Sequence, residues 1–280
     1  MEIIGLIENE LAEGQSNLKT EAGLSLFIKT ETNNILFDTG SSGSFADNAE
    51  QLRVDLKEVD FVVISHGHFD HTGGLERFFS INGKAKVYIK EEAKEAFFYK
   101  LFFLKKYIGV NPDLFKNFGD RFIFVTGDME ISPGINMVTN IPINHKLPAD
   151  SKNIRVKKDG KYLRDNFSHE QMMVITEGEN VYCFTGCSHH GILNMVESAN
   201  HLTEGKKVNV IGGFHMYNPL TKGLSEKKQD IIETGNLLNS NPNISKIVTG
   251  HCTGRDAFRI LKNTLGDKLH SLNTGSRIVL

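Results

Sequence analysis

The stretch Val62-Val63-Ile64-Ser65-His66-Gly67-His68-Phe69-Asp70-His71-Thr72-Gly73-Gly74 decides how this chain is read. An apolar run, expected to be a buried strand over residues 60–64, delivers three histidines and an aspartate into six consecutive positions. His66 and His68 are one residue apart, so in an extended segment their side chains project to the same side and can converge on one ion. Asp70 and His71 follow where Gly73-Gly74 lets the chain turn into a helix, which aims a second pair at a neighbouring point. A surface cluster of polar residues would not gather three of the chain's eleven histidines directly behind a buried strand. The pattern is that of a two-metal site.

The rest of the composition limits what such a site can serve. With 280 residues, 39% of them hydrophobic, the chain is long enough for a full core, as one large domain or two small ones. Its net charge of -2, from 32 basic and 34 acidic residues, gives no global pull towards nucleic acid or anionic lipid, and neither is expected as a partner. Three cysteines at no disulfide-framework spacing, and a start without a basic segment followed by an apolar one, lead us to expect a reduced, cytoplasmic protein. No apolar run approaches the roughly 20 residues needed to span a bilayer. The nearest, residues 97–104, is interrupted by Lys100. Homo-oligomerisation is left open.

Short β-rich runs alternate with helical patterns, which suggests sheets covered by helices. Strands are expected at 2–7, 24–30, 34–37, 60–64 and 86–89, with Asn33-Asn34 as a hairpin turn. Helices are expected at 44–52 and 75–79, and a long one from about 91 to 107, rich in aromatics that include Phe97, Phe98, Phe102 and Phe103. That helix is read as a core element or as a lid over an apolar ligand. Further strands are expected at 122–125, 137–140, 171–176, 180–184, 208–211 and 246–248, with helices at 192–202, 225–238 and 256–265. Residues 143–166 are polar and basic, with Lys146, Lys152, Arg155, Lys157, Lys158, Lys161 and Arg164. They are expected to form a solvated loop, or one that reaches over the site to meet an anionic substrate. The order suggests a single domain, 1–280, of two similar halves at about 1–125 and 126–280.

The segment Ser65 to Gly74 resembles the His-x-His-x-Asp-His signature of the metallo-β-lactamase superfamily. Ile35-Leu36-Phe37-Asp38-Thr39-Gly40 is similar to the strand and turn that precede that signature, Met172 to Gly186 to the later strand pair, and Val248-Thr249-Gly250-His251 to the strand ending in the last metal histidine. The resemblance implies an α+β fold, a four-layer αββα sandwich of two mixed sheets flanked by helices. It implies two divalent metal ions held by His66, His68, Asp70, His71, His189 and His251, with zinc the best match and iron or manganese compatible. Asp38, Cys187 and His190 are implied as further donors or as supports for the donors. Cys187 stands where most members are taken to carry a bridging aspartate, and a thiolate there favours zinc. The groups Glu21-Ala22-Gly23-Leu24-Ser25, His169-Glu170-Gln171, Gly186-Cys187-Ser188-His189, Gly212-Gly213-Phe214-His215 and Gly250-His251-Cys252-Thr253-Gly254 resemble the branch that includes the dihydropterin methyl (ribofuranosyl)aminobenzene phosphate synthases.

Two chemistries follow. Metal-activated water can hydrolyse an ester, lactone or phosphoester, with Asp70 or His215 moving the proton. Alternatively, a pterin diphosphate condenses with an arylamine, the aromatic segment at Phe102 and Phe103 stacking the pterin and Arg164 meeting phosphate. His215 is weighed as a substrate or proton-transfer residue against a structural one. His145, His169, His201 and His270 lack convergent neighbours in sequence and are expected to be solvated or core histidines. A non-catalytic metal-binding protein is the alternative of another class; six candidate donors from distant segments fit an open site better than a closed structural one. A nuclease would be expected to carry a more basic surface and a clamping domain. A diiron oxygen reductase would carry glutamate in place of His68.

Overall fold

The computed structural model describes residues 1–101, the side chain of Leu101 apart, and 103–280. Every residue from Ile3 to Ile7 is buried, which requires a strand covered on both faces. That strand, Glu2–Ile7, lies in a seven-stranded sheet with the spatial order Arg277–Val279, Glu2–Ile7, Ser25–Lys29, Asn34–Phe37, Phe61–Val63, Lys86–Lys90, Phe122–Val125. The first four pair antiparallel and the last four parallel. The hairpin turn falls at Thr30–Asn33, closed by Thr30 N–H donating to Asn33 O at 2.9 Å, and not at Asn33-Asn34, since Asn34 already pairs with Lys29. Parallel neighbours need crossovers, and Ser44–Gln51, Leu75–Ile81 and Pro112–Asn117 supply the helices. Phe45, Leu75 and Phe78, all fully buried, join Leu36, Val62 and Val87 in one core.

The described residues divide into two compact units. Unit 1 comprises Met1–Val125, Asn153–His169 and Leu272–Leu280; unit 2 comprises Thr126–Lys152 and Glu170–Ser271. The sheet of unit 2 also has seven strands, in the order Leu269–Ser271, Ile244–Thr249, Lys207–Ile211, Asn180–Phe184, Met172–Glu177, Ile135–Val138, Met129–Ser132. Its first four strands are parallel and the remainder antiparallel. Helices Ile192–Ser198, Lys228–Ser240 and Arg255–Leu265 place Met195, Ile231, Leu238 and Leu261 in a second core with Val174, Val210 and Ile247. No helix among the described residues is long and apolar enough to cross a membrane.

Two expectations fail, and for one reason. The long helix over 91–107 is instead a single 3₁₀ turn, Glu91–Lys94, followed by a hairpin of strands Ala96–Leu101 and Leu104–Tyr107. The loop over 143–166 contains a second hairpin, Ile154–Lys158 and Lys161–Arg164. The two hairpins pair with each other, Phe97 opposite Val156 and Phe98 opposite Arg155, in a four-stranded sheet of unit 1. Each segment lacked a visible partner because the partner lay more than fifty residues away. Aromatic residues that exceed one helical face serve here as cross-strand pairs, with the Phe98 ring 5.4 Å from Tyr107 and 5.1 Å from Tyr162. Phe102 lies outside the described residues. Phe103 sits at the hairpin turn, 87% exposed. The edge strands Met129–Ser132, Leu269–Ser271 and Arg277–Val279 were not anticipated; each is only three or four residues long.

Candidate metal centre

In each unit the candidate donors stand where parallel strands end, the edge at which open α/β sheets gather ligands. In unit 1 the buried strand Phe61–Val63 runs into Ser65-His66-Gly67-His68, and helix Phe69–Thr72 follows. The histidines do not converge by extension, as the one-residue spacing suggested. They converge through a bend in which His68 N–H donates to His66 O at 3.1 Å. The His66 ring lies 4.6 Å from His68 and 4.1 Å from His71, centroid to centroid. Gly67 is needed because a Cβ there would lie 2.9 Å from Ala93 Cα. At Gly73 a Cβ would meet Ser41 O at 2.2 Å. His66, His68 and Asp70 each bring a ligand atom within 4.8 Å of the others.

Hydrogen bonds settle which ring nitrogens of this turn remain for an ion. Asp38, fully buried with a left-handed φ of 58°, accepts Ser65 N–H and Ser65 O–H, both at 2.7 Å, and pairs with His71 Nδ1 at 2.6 Å. With its proton committed to Asp38, Ser65 Oγ accepts from His66 Nδ1, 3.0 Å away. His66 and His71 therefore both present Nε2, the arrangement by which a neighbouring carboxylate orients metal-binding histidines. Burial drives the Asp38 carboxyl well above its usual range; the Ser65 hydrogen bonds oppose the shift and the charge of Asp70 adds to it. A cation held by His71 would favour the carboxylate. The donor set thus fits a divalent ion.

His169 was read as a solvated or core histidine, and it is buried, but it also belongs to this turn. Its Nδ1 accepts the N–H of Gly67 at 2.9 Å and its Nε2 faces Asp165 Oδ2 at 3.1 Å. Burial raises the Asp165 carboxyl, but the charge and hydrogen bond of His169 outweigh this and hold it below its ordinary value. His68, Asp165 and His169 also bring their ligand atoms within 4.8 Å of one another. Because both nitrogens of His169 are engaged, it holds the peptide between His66 and His68.

Unit 2 assembles its candidates from three parallel strand ends. Asn180–Phe184 leads to Cys187, His189 and His190; Lys207–Ile211 to His215; Ile244–Thr249 to His251 and Cys252. Ser188, His215 and His251 have left-handed φ values of 57°, 52° and 50°, sharp reversals that non-glycine residues seldom adopt. Thr249 Oγ1 donates to Gly212 O at 2.7 Å, and Ser188 Oγ to Gly213 O at 2.7 Å, which tie the loops together. The His189 and His215 rings are 4.3 Å apart, and Cys187 Sγ is 3.4 Å from His251 Nε2. Glu170, 1% exposed, accepts the backbone N–H of His189 at 2.7 Å and of His190 at 2.8 Å, and pairs with His190 Nδ1 at 2.7 Å. His190 is accordingly occupied with Glu170 on one ring nitrogen. None of the cysteines forms a disulfide among the described residues.

Sequence reasoning missed His169, Asp165, Glu170 and Cys252 as members of these clusters. The available signal was adjacency: Cys252 follows His251, and His169-Glu170-Gln171 leads directly into the apolar run Met172-Met173-Val174-Ile175.

A family model described as the metallo-beta-lactamase superfamily matches residues 18–191. The 7,8-dihydropterin-6-methyl-4-(beta-D-ribofuranosyl)-aminobenzene-5'-phosphate synthase of Methanocaldococcus jannaschii is 28% identical over 275 residues, 92% of this chain and 90% of that one. The uncharacterized protein MJ0448 of the same organism is 30% identical over 202 residues, 69% of this chain and 72% of its own. The crystal structure of Tm1679, a metal-dependent hydrolase of the beta-lactamase superfamily, superposes with a TM-score of 0.80 at 28% identity, covering 100% of this chain and 99% of that one. The fold is the metallo-β-lactamase fold, α+β with mixed sheets and helices. With its signature turn inside a match that spans more than half of its length, this chain belongs to the metallo-β-lactamase superfamily.

Proposed function

We propose that this protein is a metal-dependent hydrolase of an anionic small molecule, phosphorylated or ester-type. The observation that carries the proposal lies within unit 1, where a basic sheet is fastened to the donor turn. Phe69 N–H donates to Ile108 O at 2.8 Å, His68 forms a bridge with Gly109, and Lys106 Nζ lies 5.1 Å from the Phe69 ring centroid. Lys100, Lys105, Lys106, Arg155, Lys157 and Arg164 stand on the strands of that sheet. Arg155 and Arg164 are directly opposite in register. Arg155 Nη1–H also donates to Ile154 O at 2.8 Å, and the two guanidinium groups together give the sheet a positive face suited to an anionic group.

The residues that would hold metal are His66, His68, Asp70 and His71 in unit 1, and His189, His251 and Cys187 in unit 2. When bound, a divalent ion supplies a Lewis acid for a phosphate or carbonyl oxygen and brings the ionisation of water towards about pH 7. Asp38 and Ser65 fix the tautomers of His71 and His66, so the site needs no rearrangement to present two Nε2 donors. Asp70 is the donor of the turn with solvent access, its side chain 23% exposed against 0% for His71. It is therefore the group placed to exchange a proton with water or a leaving group. Arg164 orients the anionic end of the substrate, and Phe103, at the turn of the neighbouring hairpin, offers an exposed ring for its apolar part. Phe103→Ala is expected to raise KM several-fold while the melting temperature stays within about 2 °C, as for an exposed residue; a large stability loss would reassign Phe103 to packing.

A second reading, condensation in place of hydrolysis, is favoured by the match over 92% of the chain to the M. jannaschii synthase. The deciding experiment combines elemental analysis of protein purified without chelator or added metal with a screen of phosphodiester, lactone, thioester and pterin diphosphate substrates. Bound metal with turnover by water alone supports the hydrolase. Turnover of the pterin only when an arylamine phosphate is present selects condensation. No metal, and none taken up on titration, overturns both.

A further inference from the structure

We infer that unit 2 carries a thiolate–imidazole metal position of its own, formed by Cys187, His215 and Cys252, for a borderline-soft divalent ion such as zinc. Neither His215 nor Cys252 is among the metal ligands that the superfamily signature implies. Yet the two sulfurs and a ring nitrogen of His215 all lie within 4.8 Å of one another. Around a tetrahedral ion with bonds of about 2.3 Å, two sulfurs stand about 3.8 Å apart, so shifts of about 1 Å or less would close this trio on zinc.

Three independent features point to an ion there. First, both ring nitrogens of His215 are buried, and neither has a hydrogen-bond partner in good geometry among the described residues; the polar side chain interacting with the ring is Cys252. A buried imidazole so poorly satisfied is costly, and a donor bond to a cation removes the cost. Second, the protein is built closely around the Cys252 sulfur. The backbone N–H of His215 donates to Cys252 Sγ at 3.3 Å, that sulfur lies 3.6 Å from Cys187 O, and a Cβ at Gly213 would lie 2.5 Å from it. Third, His215 and His251, the neighbour of Cys252, are both held in left-handed backbone conformations, so the loops carry strain at the two strand ends that bring the donors together. Two thiolates and one imidazole select zinc over magnesium or calcium, and they leave a fourth position open. The inference does not depend on the hydrolase reading, because such a position would bind metal in a protein without turnover.

The test is titration of the chelator-stripped full chain with Co²⁺ under reducing, anaerobic conditions, read by thiolate-to-cobalt charge-transfer absorption, which histidine and carboxylate donors do not produce. The wild type is expected to develop this band, Cys252→Ser to lose about half of its intensity, and His215→Ala to require at least tenfold more Co²⁺ to reach it. A wild type without the band, or a Cys252→Ser band of full intensity in a variant that melts like the wild type, overturns the inference. Should Cys252→Ser fail to fold, X-ray absorption on zinc-loaded wild type decides. At least two zinc–sulfur bonds per chain support the position, and fewer than two overturn it.

Discussion

The donor turn of unit 1 and the donor loops of unit 2 show two ways of concentrating the same kinds of side chain. Unit 1 places four candidates within six residues, supported by Asp38 and Ser65 and by His169, which pairs with Asp165. Unit 2 draws on three strand ends separated by as many as 64 residues, and kinks each loop through a left-handed residue. The contiguous turn is held by a few buried hydrogen bonds from Ser65 within it and from Asp38 and His169 outside it. The dispersed loops are held by sheet register, by Glu170 and by hydroxyl-to-carbonyl bonds such as Thr249 to Gly212. Local geometry in the first region depends on few residues, so single changes there should cost more.

The largest effect is expected from His68→Ala, which removes a donor outright. Metal affinity should fall by more than the roughly 100-fold that loss of an orienting partner costs, with turnover at background. Wild-type metal content in that variant would break the comparison at its root. Asp38→Ala comes next, since it strips the partner from Ser65 N–H, Ser65 O–H and His71 Nδ1 together. A loss of about 2–5 kcal/mol in denaturant unfolding is expected, with metal affinity down about 10- to 100-fold. Glu170→Gln should cost less, about 1–3 kcal/mol, because the amide oxygen can still accept one backbone N–H. If Glu170→Gln proves the more damaging of the two, the dispersed loops are the more fragile region and the ranking reverses.

The smallest effect concerns a carboxylate of unit 2 away from the donors. Asp128 accepts Thr139 N–H at 2.7 Å, Thr139 O–H at 2.9 Å and Asn140 N–H at 3.1 Å. Burial raises its pKa, but these bonds outweigh burial and hold it below the ordinary value. Its contribution is therefore present above the unfolded pKa of about 3.9 and disappears as pH falls through the lower folded value. Asp128→Asn should cost about 0.5–1 kcal/mol near neutral pH and nothing in strong acid. A difference that persists in acid would mean that hydrogen-bond geometry, and not charge, is what matters there.

The same contrast governs which features are legible in the sequence. His66, His68, Asp70 and His71 were legible because their proximity is a property of consecutive residues. Asp38 was legible only through the family resemblance, since its contact with His71 spans 33 positions. His169 and Asp165 look like ordinary polar residues until the strand hairpin Ile154–Lys158 and Lys161–Arg164 is folded on Ala96–Leu101. Aromatic residues in the run Phe97-Phe98-Tyr99 suit a helix face and a strand almost equally well, and only the distant partner strand decides between them. Most other boundaries fell within a few residues of expectation, because the buried parallel strands are continuous apolar runs closed by glycine.

Unit 1 is assembled from three separate stretches, and its first strand pairs with its last, Glu2 opposite Val279. During synthesis the edge of Glu2–Ile7 therefore stays uncovered until residues 277–279 have been made. The hairpin at Ala96–Leu101 likewise stays unpartnered until Ile154–Lys158 emerges. A fragment ending at Val125 would expose both edges, whereas a circular permutant that joins the two termini beside the Met1 N–H to Leu280 O bond, 3.1 Å long, would keep every strand neighbour.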